Sequence, residues 1–311
     1  MNAYAVLMAG GVGTRFWPRS RRKSPKQVLR IFGEESLIQA TYNRLSGLVD
    51  DSRLYVVTSR EQKQMIHEQL PHLSEENFLL EPVGRNTAPC IGLAAIHIAA
   101  VDPEAVMIVL PADHLITEVE TFRKVIRLAV DFAAQNDGLV TLGIHPTEPA
   151  TGYGYIQAGE EVYREGEMPV FKVKTFAEKP NLETARRFLE SGDFYWNSGM
   201  FIWKASTILQ EISDKLPEIY EALQEVEAAL NTPRYSEQVE RMYRHIKGIS
   251  IDFGVMQQAR EVYVIPVEMG WNDVGSWETV YSISPKDKHL NAGEYDTLIN
   301  IRSGKNYVYS P

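Results

Sequence analysis

Cysteine is almost missing from this 311-residue chain: Cys90 stands alone, so no intramolecular disulfide can form and a Cys-rich zinc site is excluded. A lone thiol of this kind is expected to serve as a small buried apolar residue. Long apolar runs are missing too. The longest fall far short of the roughly 18 residues that a membrane-spanning helix needs. The N-terminus also lacks the basic flank and apolar core of a secretory signal. The expected setting is the cytoplasm, with no membrane partner. Internal repeats and low-complexity segments are likewise absent. What remains is an ordinary globular composition, 44% hydrophobic and 23% charged, enough for one large α/β domain or about two smaller ones.

Acidic residues avoid one stretch. Net charge is −9, which argues against a general nucleic-acid binder. Residues 1–33, however, contain no Asp or Glu and seven basic residues (Arg15, Arg19, Arg21, Arg22, Lys23, Lys26 and Arg30), leaving −16 on the rest. A charge run alone reads as a solvated loop. This one begins inside a glycine cluster, and glycines followed by cations suit a polyanion such as a nucleoside triphosphate.

Short β-favouring runs recur at Tyr4–Met8, Leu54–Val57, Val106–Leu110, Leu139–Ile144, Val170–Phe176 and Val262–Val267. Helix-period segments lie between several of them, at Ser36–Leu48, Arg60–Leu70, Ala88–Ala100 and Val119–Ala134. Strands alternating with helices imply βαβ units, hence an α/β fold with a mainly parallel central sheet and helices on both faces. In such sheets ligands bind beyond the carboxyl ends of the strands. From about residue 150 the alternation loosens. Thr151–Tyr155 reads as a Gly/aromatic turn, Asn181–Glu190 as a short helix, and Ala205–Leu230 as a long helical stretch broken at Pro217. Together they are expected to form an insertion covering the open end of the sheet. One large domain is expected over residues 1–285, followed by a short β-rich segment over 286–311. In that segment Thr297–Ile301 and Asn306–Tyr309 read as an edge hairpin or as the start of a further β unit.

The first strand runs into Ala9-Gly10-Gly11-Val12-Gly13-Thr14-Arg15, with Ser24-Pro25-Lys26-Gln27 further on. Glycines let backbone N–H groups approach phosphate oxygens closely. The G-x-G-x-x-G dinucleotide fingerprint fails, because Phe16 stands where its third glycine belongs, and the Gly-Lys-Ser/Thr of a P-loop is absent. What is left is G-G-x-G-T-R with Lys26 eleven residues after Arg15. Arg15 can clamp a polyphosphate through several N–H donors, and Lys26 adds a compact charge. The alternative for each is a plain surface cation.

Further candidates follow other strands. Asn86 and Thr87, within Glu81–Pro89, suit a helix N-cap, and a helix N-terminus beyond a strand is also a polar ligand site. Asp113 ends the strand Val106–Leu110, and Asp273 follows Val262–Val267. Two carboxylates at the ends of different strands, near a triphosphate, suit Mg2+, which takes oxygen ligands and few protein carboxylates. Turn chemistry is the alternative for both. His114 is expected to be a neighbour rather than a ligand, since Mg2+ prefers oxygen to imidazole. Glu178 and Lys179 reach one site only if their strand stops beside Pro180. No Ser/His/Asp or Cys/His constellation offers a covalent route.

The string LMAGGVGTRFWPRSRRKSPKQ resembles the pyrophosphorylase signature of the sugar nucleotidyltransferases, in the form carried by the GDP-mannose-making branch. The likeness continues in family order through EPVGRNTAP, PADH, TGYGYI, FAEKP, WNSGMF, SIDFGVM and WNDVGSW, over about residues 3–280. It implies a Rossmann-like nucleotidyltransferase domain and an enzyme that joins GTP and mannose 1-phosphate into GDP-mannose and pyrophosphate, with Mg2+ as cofactor. It implies that Arg15, Lys26, Asp113 and Asp273 are catalytic, the two acids holding the metal. Ala9, Gly10, Gly11, Gly13, Thr14, Arg15, Glu81, Gly84, Asn86 and Thr87 would bind nucleotide, with Glu81 toward base or ribose. Gly152, Glu178, Lys179 and Asn197 would bind the sugar phosphate. Partners are then small molecules, not nucleic acid, and a homodimer is one assembly compatible with the family. Two alternatives stay open: the same fold acting on another nucleoside triphosphate or hexose 1-phosphate, and a non-catalytic nucleotide-sugar-binding subunit. The cupin-like isomerase domain of bifunctional relatives has no room in 311 residues, so isomerase activity is not expected. The last segment would correspond to the start of the family's β-rich extension, sometimes a β-helix.

Overall fold

The apolar runs become strands buried on both faces. The computed structural model describes residues 2–11 and 13–310; Val12, inside the glycine loop, lies outside them. The strands are β1 (Ala3–Met8), β2 (Leu54–Ser59), β3 (Phe78–Glu81), β4 (Val106–Pro111), β5 (Leu115–Ile116), β6 (Leu139–Ile144) and β7 (Gly154–Glu165). They continue with β8 (Met168–Glu178), β9 (Phe194–Lys204), β10 (Val262–Pro266), β11 (Trp271–Asn272), β12 (Ala292–Glu294) and β13 (Tyr307–Tyr309). The helices are α1 (Leu37–Arg44), α2 (Lys63–Gln69), α3 (Thr87–Ala99), α4 (Val119–Gln135), α5 (Leu182–Ser191), α6 (Ala205–Lys215), α7 (Pro217–Glu227), α8 (Tyr235–His245) and α9 (Trp277–Ile283).

Nine strands form one mixed, mostly parallel sheet in the order β3-β2-β1-β4-β9-β6-β10-β8-β7, and only β8 and β9 run against the common direction. The strand order reverses between β1 and β4, the kind of switch point at which α/β sheets bind ligands. Side chains alternate across the sheet as strand geometry requires. Ala3, Ala5, Leu7, Ile108 and Leu110 face a core layer that includes α4, whereas Tyr4, Val6, Met107 and Val109 face one built on α3, α6, α7 and α8. Cys90 is buried in the second layer, as its isolation suggested. Pro217 separates α6 from α7 and sits in the first turn of the latter, where its missing N–H leaves no bond unmade. Among the described residues no helix is long and apolar enough to cross a membrane.

Two expectations are corrected. The segment after residue 150 is not a cover on the sheet but part of it: β9 lies between β4 and β6, and β7 pairs with both β8 and β9. The polar Asn197-Ser198-Gly199 interrupts the apolar run of β9 and hides its strand period, although Asn197 and Ser198 are themselves buried. Near the C-terminus Thr297–Ile301 forms no strand, and Ile299 and Ile301 are each 80% exposed; β propensity without a surface to pack on does not make a strand. The ladder there joins β12 to β13 in parallel, apart from the main sheet, so it is not an edge hairpin.

Candidate active site

Several loops meet at the carboxyl edge of the parallel strands. β5 pairs antiparallel with β11, Ile116 opposite Trp271 and Leu115 opposite Asn272. This two-residue ladder carries Asp113, just before β5, and Asp273, just after β11, to a common neighbour. Lys26 Nζ donates to Asp113 Oδ2 at 2.8 Å and to the Asp273 carbonyl at 2.7 Å. Burial acts to raise the Asp113 carboxyl, but the Lys26 charge and hydrogen bond, helped by His114, displace it below the ordinary carboxylate range. His114 itself is lowered to about 4 by burial, and its Nδ1 accepts the Trp271 indole N–H at 3.1 Å. At pH 7 it is a neutral neighbour of Asp113.

The glycine loop is held from below. The Ala9 carbonyl accepts from Gln27 Nε2 at 2.7 Å and from Thr58 Oγ1 at 3.1 Å, and the Gly11 carbonyl accepts from Gln62 Nε2 at 2.8 Å. Both amide side chains are buried, and Gln27 also donates to Gln62 at 3.2 Å. With these carbonyls engaged inward, Gly10, Gly11, Thr14 and Arg15 form the exposed side of the loop. Gly13 has φ 67°, and a Cβ there would lie 2.5 Å from Lys26 Cβ, so the turn and the lysine are packed as one unit. Phe16, Leu29, Ile31, Leu37, Val274 and Val280 form a separate apolar cluster that fixes the residue after Arg15 against the residue after Asp273.

On the β3 side, Glu81 is 5% exposed, and its carboxylate lies behind Gly10, 3.3 Å from where a Cβ would project. Burial pushes its carboxyl up to about 7, with the Tyr243 hydroxyl pulling the other way. Gly84 is exposed. Asn86 adopts φ 69° and accepts the Thr87 N–H at 2.9 Å, so it caps α3. The Thr87 hydroxyl accepts the Ile251 N–H at 2.9 Å, tying this helix start to the segment before Asp252.

A cavity of about 200 Å3 opens beside the two acids and is lined by Thr87, Gly152, Tyr153, Glu178, Asn197, Asp252 and Asp273 among others. Gly152 has open space where a Cβ would project, whereas Gly154 is the glycine that packing demands: a Cβ there would collide with Glu178 Oε2. β8 ends at Glu178, and Lys179 follows with φ 49°, which lets its Nζ reach Glu178 Oε1 at 2.7 Å. The strand does end beside Pro180; Glu178 lines the cavity, while the Lys179 side chain, 58% exposed, pairs with it from outside the lining residues. Sequence reasoning missed Tyr153 and Asp252. The Tyr153 hydroxyl donates to Asp273 Oδ1 at 2.8 Å from between the Trp196 and Trp271 rings, and burial together with Asp273 displaces it upward, so it stays a donor. Asp252 opens a single π-type turn, Asp252–Met256, and is raised to about 6 by burial and then by the Glu178 charge. Each lay inside a motif string, but neither had a spacing signal of its own.

Among the described residues no group of three or more His, Cys, Asp or Glu side chains is placed to hold a metal ion. Mg2+ is commonly bound by one or two carboxylates plus phosphate oxygens and water, and Asp113 with Asp273 fits that donor set. Lys26 engages one oxygen of Asp113 and Tyr153 one oxygen of Asp273, which leaves each carboxylate a second oxygen.

The fold and this arrangement of loops are those of a nucleotidyl transferase, and the nucleotidyl transferase family model matches residues 4–289: the chain belongs to that family. Mannose-1-phosphate guanylyltransferase of Escherichia coli (strain K12) is 40% identical over 312 residues, covering 99% of this chain and 65% of its own length. The enzyme of the same name from Salmonella montevideo is 41% identical over 297 residues, covering 94% and 62%. The chain thus spans a little under two thirds of these curated relatives. A solved structure of mannose-1-phosphate geranyltransferase from Thermus thermophilus superposes with a TM-score of 0.86 at 33% identity, over 100% of this chain and 88% of that one.

Proposed function

We propose that this chain transfers GMP from GTP to mannose 1-phosphate, releasing pyrophosphate, with a catalytic domain over residues 1–285 and a short appended β segment over 286–311. The observation that carries the reading is the meeting of Lys26, Asp113 and Asp273 beside a glycine loop and a small cavity that Asp273 helps to line. The names of the relatives support the choice of guanine and mannose.

A phosphate oxygen of mannose 1-phosphate attacks the α-phosphorus in line. The new P–O bond forms as the bond to the bridging β-phosphate oxygen breaks, and the electron pair leaves with pyrophosphate. The nucleophile is already an anion, so no general base is required, and catalysis reduces to positioning and charge neutralisation. Arg15 and the N–H groups of the loop through Gly10, Gly11, Gly13 and Thr14 hold the leaving pyrophosphate, whereas the buried Ala9, expected to join them, donates its N–H to the Val57 carbonyl at 2.8 Å and supports the loop from the sheet. Lys26 and Lys179 neutralise the α-phosphate and the attacking phosphate. Glu178 and Asn197 take sugar hydroxyls, and Gly152 admits the ligand close to backbone. Gly84, Asn86 and Thr87 face base and ribose, while Glu81, expected to join them, is buried and backs the loop from behind Gly10. Mg2+, held by Asp113 and Asp273, supplies further neutralisation of the phosphates when bound.

Pyrophosphate release measured for the purified chain with each of the four nucleoside triphosphates, against mannose and glucose 1-phosphates, with and without Mg2+, tests this. GTP with mannose 1-phosphate should be fastest and should need the metal. Preference for another pair would assign a different nucleotidyltransferase specificity, and no product with any pair would leave a non-catalytic binding subunit.

A further inference from the structure

Asp252 has no role in the proposed reaction, yet it stands on the wall of the cavity with Glu178 and Asn197. The Asn197 side-chain oxygen accepts from Thr141 Oγ1 at 3.2 Å and from the Gly199 N–H at 3.1 Å, which fixes the amide so that its Nδ2 donates to Asp252 Oδ1 at 2.8 Å. Glu178 is placed by its own neighbours. One of its oxygens receives Lys179 and the other packs against Gly154. The carboxylates of Asp252 and Glu178 therefore border one small cavity, in positions set by their neighbours.

The Asp252 turn is also anchored from behind. Ile251 N–H donates to Thr87 Oγ1 at 2.9 Å, Ala88 N–H donates to the Ile249 carbonyl at 3.1 Å, and a Cβ on Gly248 would meet the Arg85 carbonyl at 2.9 Å. Two like charges on one cavity repel, and an ionised carboxylate offers only acceptors. The ligand that answers this arrangement carries several O–H donors, as a hexose does, because hydrogen bonds to ionised acceptors are the stronger kind. A π-type turn in a helical segment is often placed at a functional site.

We propose that Asp252 is a specificity residue for the sugar substrate: its carboxylate, opposite Glu178, accepts hydrogen bonds from ring hydroxyls of the hexose 1-phosphate. The inference rests on the reading of this chain as a hexose 1-phosphate nucleotidyltransferase. In that role Thr87, beyond any contact with nucleotide, holds the sugar side in register with the start of α3.

The test compares wild type, Asp252→Asn and Asp252→Ala in steady-state kinetics, with mannose 1-phosphate and its monodeoxy analogues, and in calorimetric binding of mannose 1-phosphate. Asp252→Ala should raise KM and Kd for the sugar phosphate by on the order of ten- to a hundredfold while leaving KM for GTP unchanged. Asp252→Asn, which keeps an acceptor for Asn197 but loses the charge, should fall between. Wild type should discriminate against the deoxy analogue lacking the hydroxyl that Asp252 holds, and Asp252→Ala should lose that discrimination alone. An unchanged sugar KM in both variants, equal rises for both substrates, or intact discrimination against every deoxy analogue would overturn the assignment. Failure of wild type to use any hexose 1-phosphate would overturn the underlying reading instead, so the two outcomes are separable.

Discussion

Lys26 Nζ stands 2.8 Å from Asp113 Oδ2, although 87 residues of chain separate them. The same ammonium donates to the Asp273 carbonyl at 2.7 Å. The loop after β1, the end of β4 and the residue after β11 thus share one cation, whose side chain is only 7% exposed while that of Asp113 is 35% exposed. Lys26 is built into the protein more deeply than a surface phosphate clamp. It holds both acids in place as well as supplying positive charge.

Replacing Lys26 with Met keeps the bulk of the stem and removes the charge. Turnover should fall by on the order of two to three powers of ten, the loss seen when a preorganised donor to developing charge is removed. Stability should change with pH in a defined sense. Because the folded Asp113 pKa is depressed, its contribution is present above the ordinary carboxylate range and is lost as pH falls through the lowered value. In Lys26→Met that acid-side decline should be smaller, as read from urea midpoints at neutral and acidic pH. A variant with wild-type turnover would remove Lys26 from the catalytic machinery.

Gly11 and Gly13 separate backbone strain from packing. Both have positive φ, 84° and 67°, but a Cβ on Gly11 meets nothing within 4 Å, whereas one on Gly13 meets Lys26 Cβ at 2.5 Å. Gly11→Ala should lose about 1 kcal/mol from the left-handed backbone alone. Gly13→Ala adds displacement of Lys26 to that loss, and should lower Tm further and cost most of the activity. Equal losses in both, by thermal melting and pyrophosphate release, would show that contact with Lys26 is not what requires glycine at position 13.

Part of this site could be read from the sequence because part of it is local. β6 falls on the residues its apolar run indicated, Leu139–Ile144, and Asp113 and Asp273 were recognisable as acids beyond strand ends. Their meeting was not legible, because it depends on the ladder between β5 and β11, two residues each and too short to carry a period. Gln27 and Gln62 escaped for a related reason: a buried amide that supports a carbonyl 18 or 51 residues away leaves no local pattern. Gly154 was passed over for Gly152, since the need for glycine there comes from Glu178 on the opposite strand. β9 was hidden by the buried polar residues that also make it useful, Asn197 above all.

Glu81 allows a test in which the sign alone is decisive. It is 5% exposed, and burial displaces its carboxyl from an ordinary 4.5 up to about 7. Between those values the folded protein keeps a proton that the unfolded chain has released, so the unfolded state binds fewer protons and stability falls as pH rises through that window. Below it nothing is lost, and above it the full cost applies; a displacement of this size corresponds to on the order of 3 kcal/mol. Glu81→Gln has nearly the same shape and no charge to bury. Its urea midpoint should match wild type on the acid side of 4.5, exceed it on the alkaline side of about 7, and diverge progressively between. A constant offset, or a gap that widens toward acid, would mean that Glu81 is ionised in the folded protein across the range. It would then stand behind Gly10 as a permanent anion, an arrangement poorly suited to a neighbouring triphosphate.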